Sequence, residues 1–126
     1  MKQVLVVDDS PVVRKVARRI LEGVDLRTRE AANGESGLIA CEERMPDAIL
    51  LDWNMPGADS VEFLRALRRM PGGEVPKVVF CTSENDVGRI ARALRAGADG
   101  YMLKPFDQDR LRSKFWEMGI VLTLRR

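Results

Sequence analysis

The chain has 126 residues, of which 32% are charged, and its formal net charge is only +2. This length is typical of one domain, and so small a net charge argues against general attraction to nucleic acid or to anionic membranes. The sequence has no window of 18 apolar residues, and its amino terminus runs directly into a strand pattern. We therefore expect a cytoplasmic protein that neither inserts into membranes nor binds DNA.

The two cysteines fit that compartment. Cys41 falls in a helix pattern and Cys81 at the end of a strand pattern, without the spacing of a metal site. We expect reduced, buried thiols rather than a disulfide.

A strand and a helix open the chain. The β-branched run Gln3–Val7 predicts the first strand, and Ser10 and Pro11 supply the N-cap and first turn of a helix that ends at Gly23. The residues predicted to face the core from this helix are Val12, Val13, Val16, Ala17, Ile20 and Leu21.

The pattern then repeats. Residues 26–31 predict a second strand, whose charged residues indicate the edge of a sheet. Asn33 begins a second helix, which ends before Pro46. The apolar run Ala48–Asp52 predicts a buried third strand that ends in a single carboxylate.

A helix follows the third strand, and a fourth strand and helix come after it. A helix is predicted at 59–70, a strand at 77–81 ending at Thr82, and a helix at 85–97. The core positions predicted on these two helices are Val61, Leu64, Leu67, Val87, Ile90, Ala91 and Leu94.

The last pair is a strand at 98–103 and a helix that Asp107 opens and Gly119 ends. Its predicted apolar stripe is Leu111, Phe115 and Met118. Five strands joined by crossover helices predict an α/β fold, with a parallel sheet and helices on both faces.

Chemistry-bearing residues follow four of these strands. In a parallel sheet the carboxyl ends of the strands lie along one edge, so the sequence brings together Asp8, Asp9, Asp52, Thr82 and Lys104. Carboxylates at about 4 Å repel by roughly 4 kcal/mol per pair at an effective dielectric near 20, so the cluster either binds a cation or has shifted pKa values. Oxygen ligands of this kind suit Mg²⁺.

Lys104 adds a fixed positive charge, and Thr82 offers a hydroxyl donor to a phosphoryl oxygen. Together with the metal ion, these groups suit in-line phosphoryl transfer. We interpret Asp52 as the acceptor that becomes an acyl phosphate.

These residues carry a family resemblance. The chain resembles receiver domains of two-component response regulators, of the stand-alone CheY-like type, over residues 1–118. The matching motifs are Asp-Asp after the first strand, Leu-Asp-x-x-Met-Pro-Gly at 51–57, Thr-Ser at 82–83 and Lys-Pro at 104–105. The resemblance implies a flavodoxin-like fold with strand order 2-1-3-4-5.

The resemblance also implies residue roles. Asp52 is the phosphoacceptor, Asp9 a direct metal ligand, Asp8 a water-mediated ligand, and the backbone carbonyl of Asn54 a further ligand. Thr82 and Lys104 bind the phosphoryl group. A histidine kinase or histidine phosphotransfer protein is the implied donor, and the receiver is a switch rather than an enzyme, although it assists its own phosphorylation and dephosphorylation.

Two further features belong to this resemblance. Lys104-Pro105 is commonly a cis peptide in the family. After Asp59, where many relatives carry glycine, this chain has Ser60, which leaves the conformation of that loop open.

A switch is expected from the same contacts. A phosphoryl group of roughly −1.5 to −2 charge on Asp52 draws the Thr82 hydroxyl inward. Tyr101 matches the aromatic switch position of the family; the alternative is a tyrosine that only packs at the sheet edge.

The family's usual output surface consists of the fourth helix, fifth strand and fifth helix. We expect this surface to bind a downstream protein.

The fourth helix is rich in arginine. Arg89, Arg92 and Arg95 recur every third residue and form a basic stripe roughly 120° wide. The alternatives are a solvated face, a surface for an acidic protein, or an anion site such as one for cyclic di-GMP, which some CheY-like proteins bind through arginine-rich segments.

The carboxyl-terminal residues 120–126 form an apolar, β-prone tail after a receiver domain at 1–119. The tail packs on its own domain, pairs with a sheet edge or docks a partner. Trp116 lies off the inward stripe of the last helix and is a candidate for the same contact.

Several blander or rival interpretations remain. Asp8 and Asp9 could be solvent-exposed carboxylates at the start of a helix, and Asp52 could be an ordinary turn residue. Thr82 or Ser83 could cap the helix that follows. Outside the receiver class, an aspartyl-phosphate hydrolase of the haloacid dehalogenase type needs a second aspartate where this chain has Asn54. A binding module with a vestigial site conflicts with the complete set of site residues.

Overall fold

The computed structural model describes residues 1–54, 60–83 and 87–121. Strands and helices alternate through these residues. In chain order they are β1 (Gln3–Val7), α1 (Pro11–Glu22), β2 (Arg27–Ala31), α2 (Gly34–Glu43), β3 (Ala48–Asp52), α3 (Ser60–Arg69), β4 (Lys77–Thr82), α4 (Val87–Ala96), β5 (Gly100–Leu103) and α5 (Gln108–Glu117).

The five strands form one parallel sheet in the order β2-β1-β3-β4-β5. This order and the α/β class confirm the predicted flavodoxin-like fold. Strand β2 lies at an edge, as its charged residues predicted, whereas β3 is central and every one of its five residues is buried. The carboxyl end of β3 therefore opens onto the middle of the sheet edge, where ligands bind in such folds.

Each face of the sheet has its own apolar core. Helices α1 and α5 cover one face, where Leu21 and Phe115 are fully buried. Helices α2, α3 and α4 cover the other face, where Leu64 and Ala93 are fully buried. The sheet is thus held between two helical layers, which keeps the carboxyl ends of its strands in fixed positions.

Helix boundaries follow their capping residues. Ser10 caps α1 by accepting a hydrogen bond from the Val13 backbone N–H at 3.2 Å, and Asp107 caps α5 by accepting one from the Arg110 N–H at 2.8 Å. Asn33 and Ser36 form a reciprocal capping box at the start of α2. All three starts agree with the sequence prediction.

Some predicted boundaries and core positions are wrong. Strand β5 begins at Gly100 instead of Ala98. On α1, Val12 and Val16 are 71% and 44% exposed, because they lie about 140° and 100° around the helix from the buried Ala17.

The same error occurs on α4. Val87 and Leu94 are 81% and 43% exposed, while Ala93 is fully buried. Ala93 is the residue that α4 buries in the core, and Val87 and Leu94 lie about 120° and 100° away from it around the helix. The predicted starts of α3 and α4, at Asp59 and Asn85, lie outside the described residues.

The first residues of the apolar tail belong to the core. Ile120 and Val121 are 6% and 3% exposed and pack in the same cluster as Phe115. Their backbone N–H groups both donate to the Phe115 carbonyl, at 2.9 and 3.2 Å. The remaining tail residues, 122–126, lie outside the described part of the chain.

Both cysteines are buried and form no disulfide, in agreement with the prediction. Burial raises the pKa of Cys41 to about 11 and that of Cys81 to about 12, so both thiols are protonated near neutral pH. Within the described ranges, no helix combines the length and the apolar character needed to cross a bilayer.

Candidate functional site

Asp52 is the last residue of β3, and it is only 4% exposed. The chain that follows it is held by backbone hydrogen bonds. The Trp53 N–H donates to the Cys81 carbonyl at 2.8 Å, and the Asn54 N–H donates to Asp52 Oδ1 at 3.3 Å. The carboxylate therefore has a fixed direction at the edge of the sheet.

Ser60 also helps to fix the position of the chain after Asp52. Its hydroxyl is buried and lies 3.2 Å from the Asp52 carbonyl and 3.1 Å from the Trp53 carbonyl, as a hydrogen-bond donor. The first residue of α3 thus binds back to the end of β3. The sequence marked Ser60 as a departure from the family pattern but did not predict this role.

Two further carboxylates lie beside Asp52. One oxygen from each of Asp8, Asp9 and Asp52 lies within 4.8 Å of the other two. Asp8 is buried, and its Oδ1 accepts a hydrogen bond from the Ser10 N–H at 2.9 Å, whereas Asp9 is exposed. The Ser10 N–H thus holds one oxygen of the Asp8 carboxylate, and the other oxygen accepts a hydrogen bond from Lys104 Nζ.

Lys104 follows β5 and supplies the positive charge. Its Nζ lies 2.9 Å from Asp8 Oδ2 and 3.1 Å from Asp52 Oδ1. The Lys104 N–H also donates to the Thr82 carbonyl at 2.9 Å, and the Lys104-Pro105 peptide is cis. Residues separated by almost the whole sequence therefore meet at one point, as the strand ends predicted.

The electrostatics of the site are unbalanced. Burial, and then the nearby charge of Asp8, raise the pKa of Asp52 despite its hydrogen bond with Lys104. Burial alone would lower the pKa of Lys104, but its hydrogen bonds to Asp8 and Asp52 outweigh that effect and raise it. Lys104 thus contacts two of the three clustered carboxylates, and the site favours additional positive charge.

The donor set fits a magnesium ion. It consists of carboxylate oxygens, with the buried Asp8 and Asp52 facing the exposed Asp9. Hard oxygen ligands in small number suit Mg²⁺, which keeps several of its waters.

Thr82 ends β4 and is completely buried. Tyr101 is half-buried on the neighbouring strand, where it pairs in register with Phe80. The rings of Phe80 and Tyr101 are stacked with centroids 5.8 Å apart, and Phe80 and Trp53 are 5.0 Å apart. We call Trp53, Phe80 and Tyr101 the aromatic row; it connects the residue after Asp52 to the predicted switch position.

Arg89 joins the site instead of a solvent-facing stripe. Its Nη1 donates to Asn54 Oδ1 at 2.7 Å, and Asn54 Nδ2 lies 3.5 Å from Ser83 Oγ. We call Asn54, Ser83 and Arg89 the Asn54 bridge. Arg89 is half-buried, whereas Arg92 and Arg95 are exposed, and the role of the three arginines as a partner or anion surface stays a prediction. Trp116 is also exposed, as expected for a residue off the inward stripe.

Arg14 is a site-supporting residue that the sequence did not reveal. Its Nη1 donates to the Asp8 carbonyl at 2.6 Å, and its Nε donates to Glu30 at 2.6 Å. It therefore ties the end of β1 to edge strand β2. In sequence, Arg14 is one of several cations on the outer face of α1, and no motif distinguishes it.

A comparison with protein families shows which family has this arrangement of residues. Residues 4–115 match the family model of the response regulator receiver domain. The chain belongs to this family. Receiver domains act as phosphorylation-based signalling switches in two-component systems, and they typically bind Mg²⁺ through an acidic pocket.

Individual relatives agree with this assignment. The receiver is 36% identical over 107 residues to the chemotaxis protein CheY of Halobacterium salinarum, covering 85% of this chain and 88% of the relative. It is 39% identical over 114 residues to the KDP operon transcriptional regulatory protein KdpE of Escherichia coli, covering 90% of this chain but 49% of the relative. The chain thus spans about half the length of the transcriptional regulators that it matches.

Solved structures show the same fold. The chemotaxis response regulator CheY4 of Vibrio cholerae superposes with a TM-score of 0.88 and 27% sequence identity, over 93% of this chain and 98% of that chain. A response regulator from Chloroflexus aurantiacus superposes with a TM-score of 0.84 and 27% identity, over 97% and 98%.

Proposed function

We propose that this receiver accepts a phosphoryl group on Asp52 from the phosphohistidine of a partner protein, in a reaction that requires Mg²⁺. The observation that carries the proposal is the meeting of a buried carboxylate at the end of β3 with Asp8 and Lys104. A buried carboxylate beside a second carboxylate and a lysine is the type of arrangement that accepts a phosphoryl group, whose negative charge the lysine can balance.

In the proposed step, one carboxylate oxygen of Asp52 attacks the phosphorus atom in line. The bond between phosphorus and the donor nitrogen breaks, and an acyl phosphate forms as the histidine leaves. Lys104 balances the negative charge on the phosphoryl oxygens, and the Thr82 hydroxyl donates a hydrogen bond to one of them.

Asp8, Asp9, Asp52 and the Asn54 carbonyl would hold the metal ion. When bound, Mg²⁺ supplies positive charge that offsets the repulsion among the carboxylates and neutralises phosphoryl oxygens. Burial, and then the charge of Asp8, raise the pKa of Asp52, and a cation bound beside these two carboxylates would oppose both effects.

The proposed output surface consists of α4, β5 and α5. Exposed apolar side chains occur on all three elements: Val87, Leu94, Leu103 and Trp116. We propose that Thr82 and Tyr101 couple Asp52 to this surface, and that a downstream protein binds there.

Other parts of the proposal concern the cellular context. The 126 residues contain no histidine, so the donor histidine lies outside them, on a histidine kinase or a phosphotransfer protein. The chemotaxis protein CheY is matched over 88% of its length, and by analogy with it we propose that this receiver is a cytoplasmic switch that acts through protein contacts. We place the receiver domain at residues 1–119 and the tail at 120–126.

The rival functions have less support. Arg89 binds Asn54, so the three arginines do not form one exposed surface for cyclic di-GMP. An aspartyl-phosphate hydrolase needs an acid where Asn54 lies, and an amide cannot fill that role.

The test is the intact mass of the protein after incubation with acetyl phosphate and Mg²⁺. We expect one added phosphoryl group in the wild type, sensitive to hydroxylamine, and none in Asp52→Ala or after chelation of the metal. Asp47→Ala is the matched control, because Asp47 binds the Gln3 N–H at the opposite end of the sheet. An unchanged wild-type mass would contradict the proposal.

A further inference from the structure

The Asn54 bridge joins the loop after β3 to the loop after β4 and to the first turns of α4. Asn54 lies two residues after Asp52, and Ser83 lies one residue after Thr82. Arg89 reaches the amide of Asn54 from α4 at 2.7 Å, which is shorter than the 3.5 Å between Asn54 Nδ2 and Ser83 Oγ. The backbone N–H of Asn54 donates to Asp52 Oδ1 at 3.3 Å, so the bridge holds the side chain of a residue that itself contacts the Asp52 carboxylate.

We infer that Arg89 is a positioning residue that lengthens the life of the phosphorylated state by holding Asn54 beside the phosphoryl group. The inference rests on the proposed phosphorylation of Asp52. It assigns to one arginine of α4 a role that Arg92 and Arg95, which are exposed on the same helix, do not share.

The chemistry concerned is hydrolysis of the acyl phosphate. A water oxygen attacks phosphorus, the bond between phosphorus and the Asp52 oxygen breaks, and the products are the Asp52 carboxylate and dihydrogen phosphate. Attack requires a water molecule in line at about 3 to 3.5 Å from phosphorus. A side chain held beside that path limits the positions open to water.

The structure explains why the arginine is needed. Asn54 is exposed, and the contact of its Nδ2 with Ser83 is long at 3.5 Å, so Arg89 provides the better-formed hydrogen bond to its side chain. This bond is charge-assisted, because the donor is a guanidinium group. Without Arg89, the amide of Asn54 rotates more freely and water gains access.

The test measures the half-life of the phosphorylated protein after removal of the phosphodonor. We expect Arg89→Ala to shorten it by a factor of roughly 3 to 10, the scale of one partly exposed, charge-assisted hydrogen bond. Arg92→Ala is the matched control, since it removes the same charge from an exposed position on the same helix, and it should leave the half-life unchanged. Arg89→Lys, which keeps a donor and the charge, should restore part of the loss.

Two readouts separate positioning from a general effect of charge or stability. Asn54→Ala should shorten the half-life as well, and the double variant Arg89→Ala/Asn54→Ala should resemble Asn54→Ala alone. The side-chain amide resonance of Asn54, assigned by its loss in Asn54→Ala, should shift in Arg89→Ala and stay in place in Arg92→Ala.

Equal half-lives for the wild type and Arg89→Ala, or multiplicative effects in the double variant, would overturn the inference and leave phosphorylation of Asp52 intact. A wild type that takes up no phosphoryl group would overturn both.

Discussion

The charged form of Asp52 is stabilised less well in the folded chain than in water. It is 4% exposed and lies beside Asp8, and these two conditions raise its pKa although Lys104 binds it. A group whose pKa is raised by folding contributes stability below its unfolded pKa, and that contribution is lost as the pH rises through the folded value. At neutral pH the ionised Asp52 therefore costs stability in the absence of a metal ion.

Because ionisation of Asp52 lowers stability, we predict that Asp52→Asn is more stable than the wild type in metal-free buffer at neutral pH. The amide removes the buried charge and keeps an oxygen that accepts from Lys104, so we expect a gain of about 1 kcal/mol in the free energy of unfolding, measured by urea denaturation.

Asp9→Asn is the control, because Asp9 belongs to the same cluster but is exposed, and its effect should be smaller. Saturating Mg²⁺ should stabilise the wild type and reverse the order of wild type and Asp52→Asn. A loss of stability in metal-free Asp52→Asn would contradict this electrostatic description of the site.

At the scale of elements, strands and their ends were predictable and helix faces were less so. Asp8, Asp52 and Lys104 could be placed together because parallel strands all deliver their carboxyl ends to one edge. The inward faces of α1 and α4 could not be placed as well, because their apolar residues surround more of each helix than the sheet covers. Val12 and Val87 are exposed for that reason.

Contacts between side chains from different elements were beyond the sequence. Arg89 has the same spacing as Arg92 and Arg95, and only the packing of α4 beside β4 places it on Asn54. Ser60 and Arg14 likewise bind backbone carbonyls whose positions depend on the folded chain.

The aromatic row gives the switch a spectroscopic reporter. Trp53 follows Asp52 directly and contacts Phe80, which in turn stacks on Tyr101. A change at Thr82 and Tyr101 on phosphorylation should therefore alter the surroundings of the Trp53 ring.

We predict that acetyl phosphate with Mg²⁺ changes the tryptophan emission of Trp116→Phe, a variant that leaves Trp53 as the single tryptophan of the two in the chain. Trp53→Phe, which retains only the exposed Trp116, should respond much less. The Tyr101→Ala change in the Trp116→Phe background should reduce the response. Equal responses from the two tryptophans would contradict coupling through the aromatic row.

At the scale of the whole molecule, the core on the side of α1 and α5 includes residues from the end of the chain. Ile120 and Val121 complete the core on the side of α1 and α5, beyond the proposed domain boundary at Gly119. Residues assigned to the tail by sequence therefore contribute to folding of the domain.

We predict that Ile120→Ala lowers the free energy of unfolding by about 2 to 4 kcal/mol, as expected for a buried isoleucine. Ile39→Ala makes the same chemical change on α2, where the side chain is 50% exposed, and should cost less than about 1 kcal/mol. Urea denaturation of both variants measures the two losses in the free energy of unfolding. Similar losses would contradict the prediction that Ile120 is part of the core.

The central claim is that the phosphoryl group is carried by Asp52 and by no other aspartate of the cluster. Borohydride reduction of the phosphorylated protein converts the acyl phosphate to homoserine, and mass spectrometry of the tryptic peptides 3–14 and 45–65, which contain the three aspartates of the cluster, locates the changed residue. We predict homoserine at position 52, dependent on Mg²⁺ and on acetyl phosphate. Homoserine at Asp8 or Asp9, or no conversion in a protein whose mass shows phosphorylation, would contradict the claim.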